Sequence, residues 1–448
     1  MINSVGKKRI VSSLLLLVFL DACSPVRSHY ILVEKNLSEH RYAEADSIID
    51  QNKDGYGSRN VVIYYLDRGM TLQLAGRYEE SNQFLAEAEK KIDELYTKSI
   101  SSAAGAMLSN DNLLPYEGED FEKVMINIIS ALNYIYLGQI DEALVEARKV
   151  DHKQNLLNDK YEKKNIYKED AFARYLSGIL YEAKGELNDA FISYRKAYEA
   201  FKSYKANYNT PVPPFIIGDL LRMSDALGLV DEHKEYSAIS PGNRWLRYRD
   251  LKEKGEIVFI SYNGKAPIKE DYFIDAPIPD GKGGVYLLRV ALPKFVERDT
   301  QIAFTQVRVD SAGEACRTNL VEDITVIAKK DLENRIARIT GKAIARAAVK
   351  YTAARTVKEK VSKENPLLGA IAGTATNIIN IATEESDKRS WRTLPAEIQL
   401  CRISVNPGRY NIEFNYFSKH GGVVEKGGFP DIAIKAGEKK FVVYKMMR

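Results

Sequence analysis

The sequence predicts an α+β chain of two parts: an N-terminal α-helical solenoid over residues 31–240, then an antiparallel β-sandwich-like domain over residues 241–448 with a helical insert at about 322–385. Three observations predict it. Small and aromatic residues recur through the first half at the spacing by which paired helices pack as hairpins. After Pro241 the apolar period drops to two, in short β-branched and aromatic runs separated by Gly, Pro and Asp clusters. Between about Val321 and Glu385 the three-and-four spacing of a helix returns. At 448 residues, 45% hydrophobic and 28% charged, the chain can bury a core in each of two or three domains.

Taken from the start, Lys7, Lys8 and Arg9 precede the apolar run Val11 to Leu20, and Asp21, Ala22 and Cys23 follow. A basic end, an apolar stretch, a small residue and a cysteine resemble a bacterial lipoprotein signal. That resemblance implies a signal peptide over residues 1–22, removed before Cys23, whose thiol is then lipidated (palmitate among the acyl chains), and a lipidated tether over residues 23–30. Asp21 departs from the pattern, which prefers a small uncharged residue there. Ser24 in place of an aspartate implies sorting to the outer membrane. The alternatives are an ordinary secretory signal or an uncleaved anchor, but the apolar run is too short to span a bilayer as a helix. Cleavage would leave a net charge of about +2, against +4 for the whole chain. A balance so close to neutral excludes bulk nucleic-acid affinity.

Residues 171–198, AFARYLSGILYEAKGELNDAFISYRKAY, carry the clearest hairpin signal. Gly178, Gly185, Ala190 and Ala197 are the small positions, and Tyr181, Leu187 and Tyr194 fill the gaps between helices. Gly69, Gly76 and Tyr78 repeat the arrangement earlier, as do Ala131, Tyr134, Gly138 and Ala143. This pattern resembles tetratricopeptide (TPR) repeats, in which each helical pair buries its apolar face only against the next. Tyr42, Ala45 and Ile49 fit the second helix of a degenerate first unit, and Leu221, Ser224, Gly228 and Val230 a partial hairpin closing the stack. The segments Ser99 to Glu119 and Asp151 to Lys168 read as long inserts. The resemblance implies protein binding through the repeats.

In the second half, Ile257 to Tyr262, Val285 to Leu292, Ile302 to Val309, Ile398 to Val405, Tyr410 to Phe417 and Phe441 to Lys445 read as strands. Tyr410, Ile412, Phe414 and Tyr416 alternate with Asn411, Glu413 and Asn415, so one face is core and the other wet. Pro277 to Gly284 reads as a turn. Cys316 and Cys401 either form a disulfide, as export to an oxidising compartment would allow, or remain two buried thiols.

The insert has two parts. In the first, Leu332, Ile336, Ile339, Ala343 and Ala347 make an apolar stripe, beside which Arg335, Arg338, Lys342, Arg346 and Lys350 form a basic ridge. From Lys329 to Lys360 there are ten basic and three acidic residues. The ridge is either a solvated face or a contact for an anionic lipid, polymer or protein. The second part, Pro366 to Thr383, holds Gly369 and Gly373 as a GxxxG and reads as a buried helix packed on the first. Together with SWRTLPAEIQLCR (Ser390 to Arg402), these features resemble a group of bacterial TPR-bearing envelope lipoproteins. The resemblance carries no catalytic residue to this chain.

Nothing in the sequence assembles a catalytic or metal site. The five histidines have no metal-ligand spacing, and no GxSxG, HExxH, P-loop or dinucleotide motif occurs. Glu117, Glu119, Asp120 and Glu122 lack the glycine turn of a calcium loop and read as a solvated acidic loop. The expectation is therefore a non-enzymatic outer-membrane lipoprotein facing the periplasm, with no cofactor or metal. Its repeats recruit an envelope protein; the alternative is an accessory factor in contact with peptidoglycan or another polysaccharide.

Overall fold

The structure is a computed structural model that describes residues 26–101, 111–160, 169–242, 244–279, 285–310, 312–364 and 385–448. The signal, Cys23 and the Pro366 to Thr383 segment lie outside the described residues.

Five helical hairpins form the first half. They pair α1 (Val26–Ser38) with α2 (Tyr42–Gln51) and, after a short α3 (Lys53–Tyr56), α4 (Val61–Leu74) with α5 (Tyr78–Ser101). Next come α6 (Asp120–Tyr136) with α7 (Ile140–Lys160), α8 (Ala171–Lys184) with α9 (Leu187–Tyr208), and α10 (Phe215–Leu227) with α11 (Val230–Ile239). The array begins at Val26, inside the stretch expected as a tether.

The same turn closes every pair. A left-handed residue ends the first helix, and the next N–H reaches back five positions, as Arg77 to Leu72, Gln139 to Tyr134, Glu186 to Tyr181 and Leu229 to Ser224. Gly76, Gly138, Gly185 and Gly228 supply the left-handed φ, while His40 (φ 58°) does so in the first hairpin, where Arg41 reaches Asn36. Gly178 is needed for another reason. A Cβ there would lie 2.5 Å from the Tyr194 ring, so only glycine lets α8 approach α9.

A last short helix, α12 (Tyr248–Glu253), leads into the β domain. Its first sheet has the order β10-β1-β7-β6 and its second β5-β4-β8-β9. The strands of the first are β1 (Gly255–Asn263), β6 (Asn319–Asp323), β7 (Glu397–Val405) and β10 (Lys439–Met446). Those of the second are β4 (Ile302–Val309), β5 (Glu314–Arg317), β8 (Gly408–Ser418) and β9 (Val423–Ile434). All neighbours are antiparallel except β1 and β10, which run parallel. Cys316 on β5 and Cys401 on β7 are joined by a disulfide, Cα to Cα 6.2 Å, that ties one sheet to the other.

Strand β1 is buried throughout because it has cores on both sides. Val258, Ile260 and Tyr262 pack into the helices, whereas Ile257 and Phe259 pack against β8 and the rest of the second sheet. The molecule is thus three-layered: hairpins, first sheet, second sheet. On β8 the expected alternation holds, with Ile412, Phe414 and Tyr416 inward.

Outside these layers, β2 (Ile268–Pro279) and β3 (Val285–Val296) pair as a separate ribbon. Helix α13 (Ile324–Glu364) lies on it, with Ile339, Ala343 and Ala347 against Ile274, Ala276, Val290 and Leu292. The ribbon is thus the partner of the C-terminal part of the predicted stripe, while Leu332 joins the core shared with the hairpins. Pro277 to Pro279, expected as a turn, belong to β2: a two-stranded ribbon has free edges, where a missing N–H costs little.

Candidate functional site

The first helices of the hairpins, α1, α4, α6, α8 and α10, share an inner face, and the chain's own C-terminal half fills it. One buried cluster runs from Tyr30 and Leu66 through Tyr175 and Leu220 to Ile260, Trp391, Leu400 and Met447. Three polar junctions are set along this groove.

At its N-terminal end an irregular stretch, residues 385–396, crosses α1, α4 and α6. Trp391 is 1% exposed; its backbone N–H donates to Glu122 (2.6 Å) and its indole N–H to the Thr393 hydroxyl (3.0 Å). Thr393 in turn donates to Asp67 (2.9 Å), which also accepts from Tyr30 (2.5 Å) and Tyr56 (3.0 Å). Burial pushes Asp67 up to about 6, against the hydrogen bonds that favour its charged form. The Arg392 guanidinium lies 4.5 Å from the Tyr30 ring centre and pairs with Glu34 (2.8 Å). Arg389 donates to the Leu114 carbonyl (2.9 Å) and covers Tyr116. These contacts hold the irregular stretch through a main-chain N–H, one aromatic anchor and two arginines, the residue types that dominate interface energetics.

The middle junction corrects two expectations. The acidic loop is solvated only at Glu117: Glu119, Asp120 and Glu122 are buried where α6 starts, and Glu119 and Glu122 form its capping box. Glu119 pairs with Lys269 of β2 and Arg335 of α13. Burial pushes its carboxyl up, but these two cations hold it down at about 2. Burial and the Glu119 charge push neighbouring Glu122 up to about 7. Arg335, expected on an outward ridge, is instead clasped by Glu119 and Asp331 (2.8 Å). The acidic cluster and the first residue of the basic ridge are each other's partners. Arg338 is exposed, Lys342 and Arg346 are half-buried, and the Lys350 side chain lies outside the described residues.

The third junction is a closed group of six charges. Arg222 donates to Glu182 (2.5 Å) and pairs with Asp219; Arg402 of β7 reaches Asp219 (2.8 Å), Glu256 (2.6 Å) and Glu182 (3.2 Å). Lys439 of β10 reaches Glu256 (2.5 Å) and Glu182 (3.1 Å). Tyr175 donates to Asp219 (2.7 Å), and Tyr194 to Glu182 (2.7 Å). Burial opposes ionisation of Glu182, but Arg222, Lys439 and Arg402 hold it well below the usual carboxylate range; Glu256 is held at about 2 in the same way. Three carboxylates and three cations cancel, the condition under which buried charge is tolerated. Between these junctions Lys445 donates to the Gln73 and Leu74 carbonyls (2.8 Å each), satisfying the open end of α4.

Of the predicted repeat residues, Gly76, Gly138 and Gly185 lie exposed in the hairpin turns, and most of the others line the interior of the array. Ala131, Ala143, Ala190 and Ala197 are buried, Gly69 lies against Leu85 as Gly178 does against Tyr194, and Tyr78 packs at a tilt against Tyr136 with ring centres 5.0 Å apart. Tyr181 accepts from Arg148 (2.8 Å), and Tyr134 is half-buried. The sequence reading missed the charged residues inside the groove, although Asp67 and Arg68, or Asp219 and Arg222, interrupt otherwise apolar helix faces and were a legible signal. Among the described residues no three His, Cys, Asp or Glu side chains converge as metal ligands, and no helix is long and apolar enough to cross a membrane.

No known family profile and no curated protein matches this chain. Among solved structures it is similar in part to Podosopora anserina putative kinesin light chain TPR-like repeats, at 14% identity, over 50% of this chain and 100% of that one, with a TM-score of 0.31. A single-substitution form of the same repeats gives 14%, 48%, 92% and 0.32. BtubC (BKLC) from P. vanneervenii gives 14%, 53%, 90% and 0.33. At such scores the repeat fold rests on the hairpin geometry itself.

Proposed function

We propose that this chain is a lipid-anchored scaffold of the cell envelope, in which the repeats cradle their own β domain and present protein-binding surfaces on the outside of the combined body. It acts by binding, not by catalysis, and Cys23 attaches it to the outer membrane on the periplasmic side. The observation that carries this reading is the filled groove. With Trp391 and the first sheet buried in it, hairpins and β domain share one core, and a second protein must approach from elsewhere. The Cys316–Cys401 bridge supports an oxidising compartment.

The test is crosslinking pull-down from envelope extract with the full chain, together with sedimentation on purified peptidoglycan. Val145 and Leu156, exposed on α7, supply the surface variants V145E and L156E. Capture of a defined envelope protein, weakened by those changes, supports the scaffold. Sedimentation with peptidoglycan and no protein capture would replace it with a glycan-binding role. Failure of palmitate to label the protein would remove the anchor.

A further inference from the structure

Exposed apolar side chains are ordinary when scattered, but here Ile31 lines a cavity, and Leu32, Leu113 and Phe273 are linked to its wall through sequence neighbours and hydrogen bonds. That cavity, about 510 Å³, is walled by Ile31 of α1, Ile268, Lys269, Glu270 and Asp271 of β2, and Lys388 and Arg392 of the irregular stretch. Ile31 is 72% exposed, more than any other large apolar residue among the described residues, and Leu32 beside it is 53% exposed. Asp271 accepts from the Ser386 N–H (3.0 Å), and the Ser386 carbonyl accepts from Asn112 (3.1 Å), next to Leu113, which is 56% exposed. Phe273, 43% exposed, shares a face of β2 with Asp271 because strand side chains alternate. The patch is thus aliphatic and aromatic with a rim of paired charges, Lys388 with Asp271 (2.5 Å) and Arg392 with Glu34 (2.8 Å), so apolar side chains rather than net charge carry its membrane contact.

Its position identifies the occupant. Helix α1 starts at Val26, three residues after Cys23, so at most about 11 Å of chain separates the two Cα atoms. Ile31 lies five residues further along the helix, a rise of about 7.5 Å. A lipid on Cys23 therefore enters the bilayer within about 20 Å of the patch, with no long tether to let the body swing away.

We propose that the face carrying Ile31, Leu32, Leu113 and Phe273 rests on the bilayer surface, its apolar side chains at the boundary of headgroups and acyl chains. This rests on the lipoprotein reading above. It gives the anchored body one fixed orientation, with α1 and the root of the ribbon toward the membrane.

The test uses the full, lipid-modified chain in vesicles of phosphatidylethanolamine and phosphatidylglycerol, with and without brominated acyl chains. Ile31→Trp and Leu32→Trp are compared with Val230→Trp, a 61% exposed position on α11 at the far end of the array. The expected result is a roughly twofold or greater loss of the added emission at positions 31 and 32, where an interfacial indole would sit, and none at 230. Protein that carries lipid and floats with the vesicles, yet shows equal emission at all three positions, overturns the orientation alone. Protein that neither carries lipid nor floats overturns the anchor and the orientation together. Disulfide-linked dimers of Leu32→Cys without quenching at Leu32→Trp would assign the face to a second copy and also overturn it.

Discussion

Replacing Arg402 by methionine removes one cation from the closed group of six charges and leaves Arg222 and Lys439 to face Glu182, Asp219 and Glu256. The Arg402 side chain is only 6% exposed, so solvent cannot screen the loss, and its contacts at 2.6, 2.8 and 3.2 Å are all to carboxylates. Removing one partner from such a group costs about 3–5 kcal/mol, because the charge left behind stays buried. The cost should depend on pH. In the native chain Glu256 is held at about 2, so it contributes stability that is present above the unfolded value of about 4.5 and is lost as pH falls toward 2. In the variant the carboxylate without a cation is pushed up by burial, and protonation relieves it. The deficit is therefore larger at pH 8 than at pH 5. Urea unfolding followed by far-UV circular dichroism and by the fluorescence of Trp245 and Trp391 measures it. Adding Asp219→Asn should recover part of the loss, with a coupling of about 2 kcal/mol. A deficit below about 1 kcal/mol at pH 8, or the same deficit at both pH values, would refute the reasoning. So would tryptophan signals that change before the helical signal, because hairpins and first sheet would then not share one core.

Four further outcomes follow from the same geometry. Gly178→Ala places a methyl 2.5 Å from the Tyr194 ring and should cost about 1–3 kcal/mol in urea despite the better helix propensity of alanine. Burial raises Glu122 and Asp331 to about 7, so their contribution falls as pH rises from about 4.5 through 7; Glu122→Gln should flatten that part of the stability profile. Alkylation without reductant should find neither Cys316 nor Cys401 free, and removing the bridge, whose residues are 85 apart in sequence, should cost about 4–5 kcal/mol by loop-closure entropy. Trp391→Ala should cost about 3–5 kcal/mol and loosen the 385–396 stretch, which limited proteolysis detects as new cleavage there.

The hairpins were legible because their signals are local. A glycine that must take a left-handed φ, or must admit a ring, is written at a fixed offset from its helix. His40 escaped because it does a glycine's work without being one. Strand β9 escaped because Gly427, Gly428 and Pro430 interrupt the β-branched and aromatic pattern that marks a strand; yet a Cβ at 427 would meet the Phe414 ring at 2.4 Å, and proline is tolerated in an edge strand. The groove was not legible, since its contacts join residues far apart in sequence. Glu119 and Arg335 are 216 residues apart, and each taken alone looks like solvated charge.

The filled groove changes what a repeat array can mean here. An empty array offers its inner face to a partner and is specified by side chains that await one. In this chain the inner carboxylates already have partners: Asp67 holds Thr393, Glu119 holds Lys269 and Arg335, and Glu182 holds Arg222, Arg402 and Lys439. A competing peptide would have to replace all three junctions and the apolar surface between them, so displacement in trans is disfavoured many times over. The repeats' selectivity is therefore directed at their own β domain. Any outside partner must be read by surfaces that the groove leaves exposed: the outer helices, the second sheet, and the arm of β2, β3 and α13.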